Sequence, residues 1–171
     1  SGGERPAKVF ILGFFWTASS MLEELQRRHP ALLPDLHVVD FNPKVYRRLR
    51  DRGIRVSYGD ISQRETLVHA GIEKAEVIIC SLPNSILKGA SNLRMVRQLR
   101  ELNPAAKIIV HAEQLSEIPV LYAAGASLVT VPRLLEAREL CSMIEAALQG
   151  LLQEKREKLD DLLENRAEVL P

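Results

Sequence analysis

The sequence is poor in cysteine and aromatic residues, and no long apolar run interrupts it. Its two cysteines are too few for a disulfide framework and suit a reducing compartment. No apolar stretch approaches the roughly 20 residues of a membrane-spanning helix, and no secretory signal is visible. Excess charge of one sign is also absent, because 23 basic and 22 acidic residues leave a net charge of +1. Bulk electrostatics therefore favour neither nucleic acid nor a membrane surface as a partner, and we expect a cytoplasmic globular protein.

Recognisable catalytic chemistry is also scarce. The four histidines (His29, His37, His69 and His111) have no metal-ligand spacing, and no serine or cysteine sits in a nucleophile elbow. Cys80 is expected to be a buried small apolar residue. We therefore predict no catalytic residue, no metal site and no enzyme. A nucleotide-dependent oxidoreductase or sugar-nucleotide enzyme is the hypothesis that the sequence supports least, since the chain shows neither a substrate domain nor an acid–base pair.

Apolar runs of strand length alternate regularly with helical patterns. The runs are rich in Val and Ile and do not alternate with polar residues, as expected of strands covered on both faces. This order predicts an α/β fold, a doubly wound parallel six-stranded sheet of Rossmann type. The predicted strands span 8–12, 36–40, 55–58, 75–80, 107–111 and 127–131, and the predicted helices lie near 17–29, 43–52, 63–70, 91–102 and 114–123. We interpret residues 1–7 as a tag or linker.

The last part of the chain predicts one long helix. From Pro132 to about Ala167 only Gly150 disfavours a helix, and beyond it residues 151–171 form a charged helical extension. We expect part of the apolar stripe to pack on the sheet. The rest is either a solvated helix folded back on its own domain or a helix that reaches a second subunit, which the length of the stripe favours. The stripe comprises Ala137, Leu140, Cys141, Ile144, Ala147, Leu148, Leu151 and Leu152.

The segment GFFWTASS follows the first predicted strand, where a dinucleotide-binding fold carries G-x-G-x-x-G. Only Gly13 of that pattern is present; Phe15 and Ala18 take the other two places. The second glycine lets a pyrophosphate approach the backbone, whereas Phe15, with Trp16 beside it, puts large rings there. Either these rings plug the pocket, which then binds no nucleotide, or a ligand smaller than a dinucleotide binds beside them.

Acidic residues end the second and third predicted strands. Asp40 stands 22 residues after Ala18, where a carboxylate would bind ribose hydroxyls, although a turn before Pro43 would also explain it. Asp60 follows the third strand and is partly available to a ligand if Ser62 and Glu65 form a capping box. Lys88, after the fourth strand, is either a solvated lysine or the cation for a ligand phosphate. Segments 80–84 and 111–113 end the fourth and fifth strands at the same edge.

A run of basic residues marks the second predicted helix. Its usual explanation is a solvated face, and a phosphate- or lipid-facing patch is the functional alternative. The run comprises Lys44, Arg47, Arg48, Arg50, Arg52 and Arg55.

Several longer motifs resemble one known family. The segments VVDFNP, YGDISQRETLVHAGIEKAEVIIC, LNPAAKIIVHAE and LYAAGASLVTVPRLLEA occur in this order. Together they resemble the RCK domain, the Trk-type nucleotide-binding domain that regulates potassium conductance. SILKGASNLRMVRQLR resembles the version attached to Kef-like cation:proton antiporters. The resemblance covers residues 8–150.

This resemblance implies a regulatory domain on the cytoplasmic side of a membrane. Such domains form homodimers, here through the helix after Pro132, and act on the transmembrane transporter domain of the parent protein. They bind adenine nucleotides such as NAD, AMP, ADP or ATP at the carboxyl edge of the sheet and thereby gate transport. Because Phe15 departs from the family pattern, we expect AMP to bind rather than NAD. The alternative is a structural dimerisation module with a plugged pocket.

Overall fold

A computed structural model describes residues 5–87 and 91–171 of the chain. Six parallel strands form one sheet in the order β3-β2-β1-β4-β5-β6. The strand order reverses between β1 and β4, which pair from Val9↔Val77 to Ile11↔Ile79. The strands are β1 (Val9–Leu12), β2 (Leu36–Asp40), β3 (Arg55–Tyr58), β4 (Val77–Cys80), β5 (Lys107–His111) and β6 (Leu128–Thr130).

Helices connect the strands and follow the last one. Two short 3-10 helices, Pro30–Asp35 and Ile72–Lys74, precede β2 and β4. The predicted Rossmann fold is confirmed, and the bounds of the six strands and of the first five α-helices agree with the sequence prediction to within three residues. The α-helices are α1 (Trp16–Arg28), α2 (Pro43–Asp51), α3 (Arg64–Ala70), α4 (Asn92–Leu102), α5 (Glu117–Ala124), α6 (Pro132–Leu148) and α7 (Leu152–Leu163).

The sheet carries a separate apolar core on each face. Successive residues of a strand point to opposite faces, and in β1 Phe10 and Leu12 belong to one core while Ile11 belongs to the other. The first core contains side chains of α3, α4 and α5, and the second contains side chains of α1 and α2. Both faces are therefore covered, which explains why the strands are apolar without alternation.

The C-terminal helix differs from the prediction. It consists of two helices that pack against each other, because the chain turns at Gly150, whose φ of 74° suits glycine. The expectation that part of the apolar stripe is buried on the sheet was wrong. Within residues 132–163 only Ala146 is buried, while Leu140, Ile144 and Leu148 are 50%, 60% and 85% exposed.

Candidate functional site

A cleft of about 530 Å³ opens at the carboxyl ends of β1 to β4. This is where the strand order reverses and where doubly wound sheets bind their ligands. Its volume lies within the usual range for small-molecule sites. Four of the predicted site residues, Gly13, Phe15, Asp40 and Asp60, line it. The other lining residues are Phe14, Phe41, Asn42, Ile61, Ser62, Leu82, Ser85, Ile86 and Leu87.

Gly13 is required by both its conformation and its surroundings. It has a φ of 78°, which side-chain-bearing residues rarely adopt. Its N–H donates to the Val39 carbonyl at 2.8 Å, which ties the end of β1 to β2. A Cβ at this position would overlap the side chain of Leu82. Gly13 therefore allows the β1–α1 loop and the segment after β4 to close over the sheet edge.

Asp40 joins the two loops on either side of the cleft. Its Oδ1 accepts the Phe14 N–H at 2.9 Å, and its Oδ2 accepts the Asn42 N–H at 2.9 Å. Burial raises the pKa of this carboxyl group, and the two backbone hydrogen bonds partly oppose that rise. The turn role that the sequence left open is therefore present. Each oxygen keeps a second lone pair that a ribose hydroxyl could use.

The aromatic side chains of the β1–α1 loop have three different environments. Phe14 is buried in the core beneath α1 and α2, and Phe15 is half-buried against the opposite core while also lining the cleft. Trp16 is 64% exposed and stacks on Phe15 with ring centroids 4.7 Å apart. It is not one of the described residues that line the cleft. Phe15 has an extended backbone (φ −132°, ψ −157°), so the missing glycine matters for space and not for backbone conformation.

Asp60 is held in a local turn at the rim of the cleft. Its Oδ1 accepts both the backbone N–H and the hydroxyl of Ser62, at 2.9 and 2.7 Å. The predicted capping box was wrong: Ser62 points back to Asp60, and α3 begins after Gln63 without a side-chain cap. One carboxylate oxygen of Asp60 is thus committed to the turn.

Phe41 is a site residue that sequence reasoning missed. It directly follows Asp40, lines the cleft and is 61% exposed. The available signal was a large aromatic residue immediately after the acidic end of a strand. The side chains of Leu82, Ile86 and Leu87 add an apolar wall. Lys88, the predicted phosphate-binding residue, falls outside the described residues.

The end of β5 supports the cleft from the side. Glu113 Oε1 accepts the Asn84 N–H at 2.8 Å, which links the segments that follow β5 and β4. His111, Ala112 and Glu113 are not among the described lining residues. Cys80 is fully buried, and burial raises the pKa of its thiol to about 11, so the thiol behaves as a small apolar group. Among the described residues no cluster of three His, Cys, Asp or Glu could hold a metal ion.

Comparison with known proteins decides the family. The family model of the TrkA-N domain matches residues 9–132, which is most of the chain. The chain belongs to the TrkA-N domain family. The RCK-type regulatory fold predicted from the sequence motifs is thereby confirmed. In residues 5–87 and 91–171, no helix is both long enough and apolar enough to cross a membrane.

Curated relatives include potassium-efflux proteins. The chain is 34% identical over 88 residues to the glutathione-regulated potassium-efflux system protein KefC of Escherichia coli O157:H7, and equally to that of Shigella boydii serotype 18. Each match covers 52% of this chain and 14% of the relative. This TrkA-N domain chain thus spans about a seventh of the length of those relatives.

Solved structures share its fold. The TrkA-N domain of the inner membrane protein ybaL from Escherichia coli has a TM-score of 0.70 at 24% identity, covering 82% of this chain and 98% of that one. The GsuK channel bound to NAD has a TM-score of 0.61 at 22% identity, covering 77% of this chain and 22% of that one. GsuK bound to ADP has a TM-score of 0.58 at 22% identity, covering 75% and 32%.

Proposed function

We propose that this TrkA-N domain is the cytoplasmic regulatory domain of a membrane potassium transporter and binds an adenine nucleotide in the cleft described above. The observation that carries the proposal is the cleft itself, at the reversal of strand order, which is lined by both Asp40 and the exposed residue Phe41. A carboxylate that accepts ribose hydroxyls next to an aromatic face for a base is the chemistry of a nucleoside site. GsuK, which shares the fold, is bound to NAD in one structure and to ADP in another.

The β1–α1 loop favours a mononucleotide over NAD. The amino terminus of α1 has N–H groups without partners inside the helix, and such termini bind phosphate. Phe15 stands at the start of this helix and lines the cleft. Its ring therefore narrows the path along which a pyrophosphate would pass beneath the helix, whereas the adenosine end at Phe41 remains open. AMP is accordingly the preferred ligand.

We call α6 and α7 together the arm. In a homodimer a second copy of the chain would cover the exposed apolar side chains of the arm. Supporting this, the arm presents large apolar side chains to solvent, including Leu135, Ile144 and Leu148 at 60%, 60% and 85% exposure. Apolar surface on this scale marks an interaction site. Through such a dimer the domain would act on the transmembrane part of its parent protein, in keeping with the KefC relatives.

The second candidate function is that of a structural dimerisation module, in which the pocket is plugged and binds no nucleotide. The observation that favours it is that both oxygens of Asp40 and one of Asp60 already accept hydrogen bonds from the protein. In that case Asp40 and Asp60 stabilise the turns that they are part of, and the ring of Phe15 fills the pocket.

Substitution of Phe41 distinguishes the two functions. Stacking of a base on an aromatic side chain contributes about 1–3 kcal/mol, so Phe41→Ala should raise the Kd for AMP by about 5- to 150-fold in isothermal titration calorimetry. Because Phe41 is exposed, the substitution should leave the fold intact. The matched control is Tyr58→Ala, since Tyr58 is 59% exposed and is not a described lining residue. Absence of any heat of binding from AMP, ADP and NAD with the unaltered protein would favour the structural module.

A further inference from the structure

The last residues of the chain lie across α1 and α2. We call residues 164–171 the strap. Val169 is only 3% exposed and belongs to the same core as Leu22 of α1 and Leu49 of α2. Arg48 of α2 donates to the Val169 carbonyl at 3.0 Å, and Arg52, directly after α2, donates to the Ala167 carbonyl at 2.8 Å. Two residues of the basic run are thus engaged in holding this segment.

A charged network fastens the strap to the first turns of α1. Glu168 accepts the hydroxyls of Ser19 and Ser20, each at 2.9 Å, and the Arg166 guanidinium at 2.7 Å. Arg166 also binds Glu24 at 2.9 Å. Burial opposes ionisation of Glu168, but hydrogen bonds from Arg166, Ser19 and Ser20 outweigh it and lower the pKa. The network is therefore ionised at neutral pH.

The network contacts the helix turn that borders the cleft. The Ser19 N–H donates to the carbonyl of Phe15, which lines the cleft, so one helical turn separates the strap from the site. Ser19 also accepts the Leu170 N–H at 2.9 Å, so its hydroxyl joins the strap twice. The strap is therefore hydrogen-bonded directly to the first turn of α1.

The strap is also the continuation of the arm. Arg27 of α1 donates to the carbonyls of Leu162 and Glu164, where α7 passes into the strap. At the other end of the arm, Arg133 donates at 3.2 Å to the carbonyl of Glu113, the residue whose side chain supports the cleft. Between these ends only Ala146 is buried. The arm is thus attached at two places: at the segment after β5, which supports the cleft, and at the last turn of α1, the helix whose first turn borders the cleft.

We propose that the strap couples the arm to the cleft. A ligand that orders the first turn of α1 strengthens docking of the strap, and release of the strap loosens that turn and weakens ligand binding. The two effects are reciprocal, because they describe one coupling free energy. The ligand half of this coupling rests on the proposed nucleotide function, whereas the link between strap and helix does not.

The test removes the network in the full chain. The variant Arg166→Ala/Glu168→Ala is compared with Arg97→Ala/Glu101→Ala, which removes the same residue types from exposed positions of α4, outside the arm and the strap. Hydrogen exchange is measured without ligand, at the Leu170 amide and over residues 13–20. Both should exchange at least about fivefold faster in the strap variant, the lower end of typical coupling between sites. The affinity for AMP should fall by about the same factor, while the control behaves as the unaltered protein.

Every other outcome of this experiment contradicts a specific part of the proposal. If the strap stays protected, the network does not hold it; if it opens while residues 13–20 exchange at the original rate, the link is absent. If the unaltered protein binds no AMP, the proposed function fails, but exchange of the ligand-free protein still decides the link. Should loss of both side chains unfold the chain, Glu168→Gln provides the same comparison against Glu101→Gln.

Discussion

Replacing Phe15 by glycine tests how the β1–α1 loop selects its ligand. The substitution restores the second glycine of the nucleotide-binding pattern and removes a ring that is half-buried against the core and stacked on Trp16. The backbone there is extended and begins α1 without a side-chain cap. Glycine is tolerated at such a position, so we expect the fold to persist and the cleft to widen at the helix start.

The cost in stability follows from the partial burial of the ring. Loss of a fully buried phenylalanine costs about 3–5 kcal/mol, and about half of that, roughly 2 kcal/mol, applies to this half-buried side chain. For a chain of this size, each 1 kcal/mol shifts Tm by about 2–4 °C, so we expect Tm to fall by about 4–8 °C. Thermal unfolding followed by circular dichroism measures this shift.

The gain in affinity should be specific to NAD. Exposed N–H groups at the start of α1 could then donate to a pyrophosphate, and a hydrogen bond to a charged group contributes about 1.5–3 kcal/mol. One such bond would tighten NAD binding by about 10- to 150-fold, while the affinity for AMP should change little. Calorimetry with both ligands, and Phe15→Leu as a variant that keeps the bulk, measures the difference. An unchanged ratio of NAD to AMP affinity in Phe15→Gly would refute the obstruction by this ring.

Two further predictions concern assembly and pH. The protein should sediment as a homodimer at concentrations of tens of micromolar. Ile144→Glu, on the exposed face of α6, should yield a folded monomer with a nearly unchanged Tm. If the unaltered protein sediments as a monomer, the proposed dimer is contradicted. The pKa of Glu168 is lowered in the folded protein, because hydrogen bonds from Arg166 and two serines outweigh its burial. Its contribution to stability is therefore fully present above the unfolded pKa and is lost as the pH falls through the folded pKa. Glu168→Gln should flatten the dependence of unfolding free energy on pH across the acidic range in urea titrations, and a curve parallel to the unaltered protein would show that the network contributes nothing.

The sheet could be predicted because its strands are unambiguous locally. Runs 36–40 and 107–111 have apolar centres that are covered on both faces, and the structure has strands with these bounds. The first two residues expected in β4, Ala75 and Glu76, lie before the strand as the structure has it. The break at Gly150 was visible as a residue type, but the turn it makes depends on α7 packing against α6.

The site could be predicted only as a location. Parallel strands bring Asp40 and Asp60 to one edge whatever their side chains contact, and both line the cleft. Their hydrogen-bond partners depend on loop geometry. Asp40 accepts the N–H of Phe14, which lies 26 residues earlier in the chain. Asp60 accepts the hydroxyl of Ser62, which the local sequence pattern had assigned to the cap of α3. Phe41 was overlooked because an aromatic residue in a sequence does not show whether it faces a core or a cleft.

The sequence by itself determined the fold class and family, because apolar runs of strand length and short motifs are properties of neighbouring residues. It also determined that Phe15 stands where a glycine usually lies. Only the tertiary structure decided that Asp40 is buried between two loops, that the apolar stripe of α6 is exposed, and that Arg166 and Glu168 fasten the chain's end to α1. The physical reason is separation: Ser19 and Glu168 are 149 residues apart, and a hydrogen bond between them exists only once the sheet, α1 and the arm have placed both ends of the chain together.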